Sequence, residues 1–380
     1  MQRYYFDHNA TSPVAPEVLR GLMDSMAEVH GNASSIHHFG QVAKQKLESA
    51  RRDVANRLDC DAREIVFTSG GTEADNLAIL GVARGGGGHV ITSAIEHPAV
   101  LNCCAQLERE GNSVTYLPVG GAGVVDPDEV RRALRGDTVL ITIMHANNEI
   151  GTVQPVSEIA AVARGAGVPF HSDGVQTGGR VAVSMRETGF DLFSVSGHKF
   201  GAPKGVGALY VRKGVQLRPI LYGGRHERDR RAGTENVAGA AALGKAMGLD
   251  FDWNSLAPLR DRLEQGILDR VPAARVNGHP ERRVPNTSNI RFEGIGGEAM
   301  VIALDLRGYA VSSGSACSSG AVEPSPVLLA MGQTAEQARS SVRFSLGPGN
   351  TREQVDGLID AVAESVKHLA RIAPMAVAHV

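Results

Sequence analysis

The amino-acid sequence predicts an α/β protein with two parts: a large domain on a mostly parallel sheet, residues 15–250, and a smaller α/β domain formed by residues 1–14 and 251–380. Three observations point there. Between residues 64 and 212, short β-rich runs alternate with segments of helical period, the signature of repeated strand–helix–strand units. At 380 residues the chain exceeds what one core usually supports, since domains run to roughly 150 residues. With 42% hydrophobic and 21% charged residues, it has the composition of a globular protein able to bury large cores.

Taken in order, the β-rich runs place strands at Glu64–Thr68, His89–Ser93, Ser113–Leu117, Thr138–Met144, Val168–His171, Asp191–Val195 and Gly207–Val211. Helical patterns fall between them, among them Glu73–Ala83, Pro98–Glu110, Asp126–Leu134 and Val156–Ala166. Cys103 and Cys104 sit in the second of these and read as small core residues. The run Arg84-Gly85-Gly86-Gly87-Gly88 lacks the spacing and helix of a phosphate loop and reads as a surface connection. Beyond residue 236 a long helical pattern, interrupted near Trp253, leads to strands at Asn289–Phe292 and Ser341–Ser345 and a terminal helix over Arg352–Ala370. The N-terminal segment is too short to fold alone and is expected to pack on the smaller domain or across the active site.

Charge and composition narrow the function. A formal net charge of −2 gives no general attraction to nucleic acid or to an anionic membrane, so the expected ligand is a small molecule. No apolar run approaches the roughly 18 residues of a membrane helix. Met1–Asp7 lacks the basic and apolar stretches of a secretory signal, so a cytoplasmic location is expected. The four cysteines, Cys60, Cys103, Cys104 and Cys317, follow no metal-site spacing and are too sparse for a disulfide scaffold; no intrinsic metal is expected.

In open α/β sheets ligands bind beyond the carboxyl ends of the strands, so groups suited to one ligand should recur just after the predicted strands. After the first comes Ser69-Gly70-Gly71-Thr72-Glu73, a glycine turn opening a helix whose free N–H groups favour a phosphate; equally, Thr72 serves as a plain N-cap. After the second, His97 precedes Pro98 at a strand-to-helix corner, placed to stack on a flat ring, to move protons, or simply to cap. Asn147 and Asn148 follow the fourth strand, as amide donors or as turn formers. Asp173, with Gln176 three residues on, can pair with a protonated ring nitrogen or act as a buried cap. Ser196-Gly197-His198-Lys199 ends the sixth strand. A lysine there can lose its proton on burial and attack an aldehyde, with Lys204 as its rival in a more solvated loop.

Together these motifs resemble the cysteine desulfurases of iron-sulfur cluster and nitrogenase assembly, in the class-V aminotransferase branch of the fold type I pyridoxal-phosphate (PLP) enzymes. The likeness runs from Asp7-His8-Asn9-Ala10-Thr11 to Val342-Arg343-Phe344-Ser345. It implies a homodimer that holds pyridoxal 5'-phosphate on Lys199 as a Schiff base. His97 would stack on the ring, Asp173 would pair with its nitrogen, and Gln176 and Asn148 would bond ring oxygen or substrate. Gly71, Thr72, Ser196 and His198 would hold the phosphate, joined by Thr234 from the neighbouring subunit. Arg343 would bind the carboxylate of L-cysteine. Cys317, in Ser312-Ser313-Gly314-Ser315-Ala316-Cys317-Ser318-Ser319-Gly320, would accept the sulfur as a persulfide and pass it to an iron-sulfur scaffold or other acceptor protein, where it could meet a nascent cluster. A segment so poor in apolar residues is expected to move rather than pack.

The chain departs from the family pattern at Arg225 and Asp229, where smaller residues are expected, and its C-terminus does not match the scaffold-docking tail of the housekeeping enzymes. A class-V aminotransferase or selenocysteine lyase would share the PLP set without needing the thiol segment, and a non-catalytic scaffold that uses PLP only structurally would not need Lys199, His97 and Cys317 together.

Overall fold

The computed structural model describes residues 2–85, 87–313 and 323–376, so the segment around Cys317 lies outside the described residues. In chain order the strands are β1 (Tyr4–Tyr5), β2 (Ile65–Thr68), β3 (His89–Ser93), β4 (Ser113–Leu117), β5 (Thr138–Thr142) and β6 (Phe170–Asp173). They continue with β7 (Leu192–Ser196), β8 (Gly207–Val211), β9 (Ala274–Asn277), β10 (Thr287–Phe292), β11 (Tyr309–Ala310) and β12 (Ser341–Ser345). Seven of them form one sheet in the order β2-β8-β7-β6-β5-β3-β4, parallel except for β8, which runs antiparallel to both neighbours. Because β8 reverses twice, β2 still points the same way as β7, and the turns after β2, β3, β5, β6 and β7 leave from one edge.

Strands β3, β6, β7 and β8 are buried along their whole length, as a sheet covered on both faces requires. Cys103 and Cys104 lie in the core beneath this sheet. Under its other face Phe170, Phe190 and Phe193 pack with ring centroids 5.0 to 5.5 Å apart. Each such ring contributes roughly 2 to 3 kcal/mol by leaving water.

Two strand boundaries differ from expectation for identifiable reasons. β6 begins at Phe170 rather than Val168 because Pro169 has no N–H to give the ladder, and it runs on to Asp173. β5 ends at Thr142 rather than Met144 because the Met144 N–H turns aside to the Glu96 carboxylate, 3.0 Å from each oxygen. The helix expected from Glu73 starts at Gly71, with Gly70 as its N-cap, so Thr72 lies in the first turn and is not the cap.

Within residues 16–58, for which the sequence pattern gives no elements, the chain forms helices Pro16–Glu28 and His38–Leu58, which pack on helix Val237–Met247. Near Trp253 the long helical pattern breaks into Val237–Met247 and Ala257–Arg270, joined through a short turn at Trp253–Leu256. A second, antiparallel sheet of order β12-β10-β9 carries helix Ala257–Arg270, against which helix Arg352–Ala376 packs.

The N-terminal segment ties the two sheets to each other. β1 pairs with β11, Ser345 N donates to Phe6 O at 2.8 Å, and the chain then crosses to β7, where Ser12 N donates to His198 O at 2.7 Å.

The turn that precedes Thr234 rests on a buried ion pair. Glu227 receives Arg51 at 2.6 and 2.8 Å and also accepts Phe67 N at 3.0 Å. The grip holds three successive left-handed residues, Glu227, Arg228 and Asp229, with φ of 44°, 58° and 63°. Aspartate tolerates that conformation better than most residues, which accommodates the departure at position 229. Glu227→Gln keeps the shape but leaves Arg51 buried with the half-exposed Glu48 as its one remaining carboxylate partner among the described residues. It is expected to cost about 3 kcal/mol in urea unfolding, whereas a loss below about 1 kcal/mol would show the pair to be dispensable.

Candidate active site

Ten residues singled out from the sequence line one cavity of about 590 Å³ at the carboxyl edge of the large sheet: Gly71, Thr72, His97, Asn148, Asp173, Gln176, Ser196, His198, Lys199 and Arg343. They reach it from separate strand ends, with Arg343 supplied by β12 of the second sheet.

Lys199 ends the short turn after β7. Its Nζ donates to Asn9 O at 2.7 Å and Ala10 O at 2.9 Å, two neutral acceptors. Burial, with the positive charges of Arg180 and Arg343, lowers its pKa to about 7 against the pull of Asp173 and Asp7. A large share of the amine is therefore neutral at physiological pH. Lys204 is exposed and does not line the cavity.

Asp173 stands at the end of β6, buried, with Oδ1 accepting Val175 N at 2.9 Å. Burial raises its pKa, and the charges of His97 and Lys199 oppose the rise, so a further cation beside it would be stabilised. The next residue has to be glycine, since a Cβ on Gly174 would lie 1.9 Å from Phe193 Cζ. His97 combines both of its sequence readings. Its Nδ1 accepts Ala99 N at 3.1 Å as the cap of helix Pro98–Arg109, while its ring opens on the cavity. Burial among protein atoms lowers its pKa.

The two asparagines separate. Asn147 is consumed by its own turn, with Oδ1 taking Glu149 N at 2.8 Å and Ile150 N at 3.1 Å and Nδ2 bonding Ile95 O at 2.9 Å. Asn148 lines the cavity, and its backbone carbonyl accepts Arg343 Nη1 at 3.1 Å. Arg343 is fixed further by Asp7 Oδ1 at 2.8 Å, and its buried Nε has no partner among the described residues. Gln176 Oε1 accepts Arg180 Nη1 at 2.8 Å.

At the other end of the cavity, helix Gly71–Ala83 begins beside Ser196 and His198. A Cβ on Gly71 would meet Val175 Cγ2 at 2.7 Å and Ser196 Cβ at 3.4 Å, so glycine is needed for the helix terminus to come this close. His198 bonds Thr11 Oγ1 through Nδ1 at 3.1 Å, and burial with nearby cations lowers its pKa to about 4, keeping it neutral.

Two predicted residues are not part of this group. Thr234 is exposed and does not line the cavity of its own chain. Cys317 lies outside the described residues, though the residues flanking that segment, Ser313 and Glu323, both line the cavity. The sequence reading had also passed over several groups here. Asn9 and Ala10 hold the lysine amine. Glu96 is buried, bonded by Ser93 Oγ at 2.5 Å and raised to about 8 by its burial. Asp75 is buried with Oδ1 unpartnered among the described residues. None of them carries a chemical signature of its own, although Glu96 stands beside His97 in the turn after β3.

The aminotransferase class-V family model matches residues 4–358. The cysteine desulfurase IscS of Methanosarcina thermophila is 48% identical over 379 residues, covering 98% of this chain and 94% of that protein. The chain belongs to the class-V aminotransferase family, among its cysteine desulfurases. A NifS-like protein of known structure superposes with a TM-score of 0.90 at 35% identity, over 97% of this chain and 100% of its own. A structure described as SspA in complex with cysteine matches with a TM-score of 0.83 at 35% identity, over 91% of this chain and 99% of that one. This class-V fold is the α/β architecture expected from the sequence.

The setting of Lys199 has a direct chemical consequence. In the cofactor-free chain, acylation of Lys199 followed by peptide mapping should rise with a midpoint near pH 7, because the neutral amine grows as pH climbs through the lowered pKa. A midpoint near 10, that of an ordinary lysine, would contradict the burial and charge argument.

Proposed function

We propose that this member of the class-V family is a PLP-dependent cysteine desulfurase. It converts L-cysteine to L-alanine, leaves the sulfur on Cys317 as a persulfide, and passes it to an acceptor protein for iron-sulfur cluster assembly. The observation that carries the reading is the joint placement in one cavity of a lysine with a substantially neutral amine, a buried Asp173 and a glycine-opened helix terminus.

The donor set fits PLP. The terminus of helix Gly71–Ala83, with Thr72, Ser196 and neutral His198, suits a phosphate. Asp173 suits a protonated pyridine nitrogen, and Lys199 suits an aldehyde. Bound there, PLP would supply the electron sink that lets bonds at the substrate α-carbon break.

The protein's own groups do the rest. Arg343, already oriented by Asp7 and the Asn148 carbonyl, offers its guanidinium to the cysteine carboxylate. Lys199 Nζ, freed from the cofactor, accepts the proton of the substrate α-carbon, and His97 is placed to move a second proton. Cys317 Sγ, as thiolate, bonds the substrate sulfur as the carbon–sulfur bond breaks, and the carbon takes a proton to become alanine. L-cysteine and the Cys317 thiol are thus converted to L-alanine and the Cys317 persulfide. Ser313 and Glu323 at the cavity support delivery of Cys317 to this place.

The same reading makes the enzyme a homodimer in which Thr234 serves the partner's phosphate, supported by its exposure away from its own cavity. It divides the chain into a domain of residues 15–250 and another of residues 1–14 and 251–380, supported by the separation of the two main sheets. A cytoplasmic location fits the free thiols of Cys60, Cys103 and Cys104, and among the described residues no helix is long and apolar enough to cross a membrane.

Purified protein given L-cysteine and a thiol reductant should release sulfide and alanine in equal amounts; alanine without sulfide, or neither, would refute the activity. Cys317→Ser should keep the cofactor spectrum and lose sulfur release by at least a hundredfold, roughly what loss of a nucleophile costs, while full alanine production would reassign the acceptor. Mixing inactive Lys199→Ala and Thr234→Ala dimers should restore activity through subunit exchange, and a fully active monomer in sedimentation would exclude shared sites.

A further inference from the structure

Arg180 is a buried charge with no carboxylate partner among the described residues. It is 3% exposed and makes its hydrogen bonds to neutral acceptors only: Lys199 O at 2.9 and 2.7 Å, His8 O at 2.7 Å, Asn9 Oδ1 at 2.9 Å and Gln176 Oε1 at 2.8 Å. Among the described residues no carboxylate pairs with it, and Trp253 lies across its guanidinium at 5.0 Å from the ring centroid. A buried cation without a counter-ion is strongly unfavourable, and a buttress alone could be built from uncharged side chains. Its connections give the charge a use. One guanidinium grips the backbone carbonyl of Lys199 at one end of that side chain. It also grips Asn9 at the other end, where the Asn9 carbonyl receives the lysine amine.

We propose that Arg180 is a positioning residue for Lys199: its two-ended grip holds the amine at Asn9 and Ala10, and its positive charge, unmatched by a carboxylate among the described residues, keeps that amine in the uncharged, nucleophilic form. The inference rests on the reading of Lys199 as the cofactor lysine. The charged groups facing that amine are Arg180 and Arg343 on the positive side and Asp173 and Asp7 on the negative side, with His97 and His198 adjacent. Of the two cations Arg180 has the larger effect, and Arg343 is already matched by Asp7. Arg180 therefore supplies the excess positive charge.

The test follows the visible absorption of the PLP-loaded protein with pH, which reports protonation of the Lys199 nitrogen without reference to turnover. Arg180→Gln should raise the midpoint by about one pH unit, because a repelling cation is gone, which is about tenfold in the protonation equilibrium. Arg180→Lys retains the charge without the planar fork and should keep the parental midpoint. A role in packing alone would lower thermal stability in both variants and move the midpoint in neither. An unmoved midpoint in Arg180→Gln overturns the proposal. If the neutral variant does not fold, Arg180→Lys decides: a parental midpoint upholds the role of the charge, and a displacement of a full unit overturns it. A parent protein without any visible band would instead overturn the cofactor reading itself.

Discussion

Five turns carrying the polar groups of this site leave the same edge of one sheet because β2, β3, β5, β6 and β7 all point the same way, and everything else about the cavity depends on that convergence. Parallel strands covered on both faces place their backbone rigidly, so Gly71, Thr72, His97, Asn148, Asp173, Ser196, His198 and Lys199 arrive within one volume although they span more than a hundred positions. The close approaches at Gly71 and Gly174 show how little slack remains, since a Cβ on Gly71 would push on Val175 and Ser196 at the cavity wall and one on Gly174 would push on Phe193 in the core.

On this scaffold the chemistry is a matter of charge balance in a partly dry place. Asp173 is held in surroundings that disfavour its charge unless a cation arrives, and Lys199 in surroundings that disfavour its own. The pair is thus primed from opposite sides for a ligand with a cationic ring nitrogen and an aldehyde. The N-terminal strand is part of this balance. Asp7 orients Arg343, Asn9 and Ala10 receive the lysine amine, and the same few residues join β12 to β7. A segment too short to fold alone therefore connects the carboxylate-binding side of the cavity to the cofactor side.

Much of this was legible in the sequence because strand ends announce themselves. Apolar runs closed by glycine, proline or a polar cluster point to Gly71, His97, the Asn147–Asn148 pair, Asp173 and Lys199. What could not be read were contacts made across the fold. Nothing local distinguishes Asn147 from Asn148; only the turn that consumes the first frees the second. Arg180 lies in Thr177-Gly178-Gly179-Arg180, which reads as an ordinary surface turn, and its burial depends on Trp253 and the N-terminal strand arriving from elsewhere. The helices over residues 16–58 lie before the first strand–helix unit, outside the alternation that marks the large sheet.

The central claim is that the amine of Lys199, and of no other lysine, is the one this cavity prepares for an aldehyde. Borohydride reduction of the PLP-loaded protein, followed by proteolysis and mass mapping, tests it most directly. The account predicts the reduced pyridoxyl mass on the peptide containing Lys199 and its disappearance in Lys199→Ala. Label fixed on Lys204, or spread over several lysines with Lys199 unmodified, would contradict it.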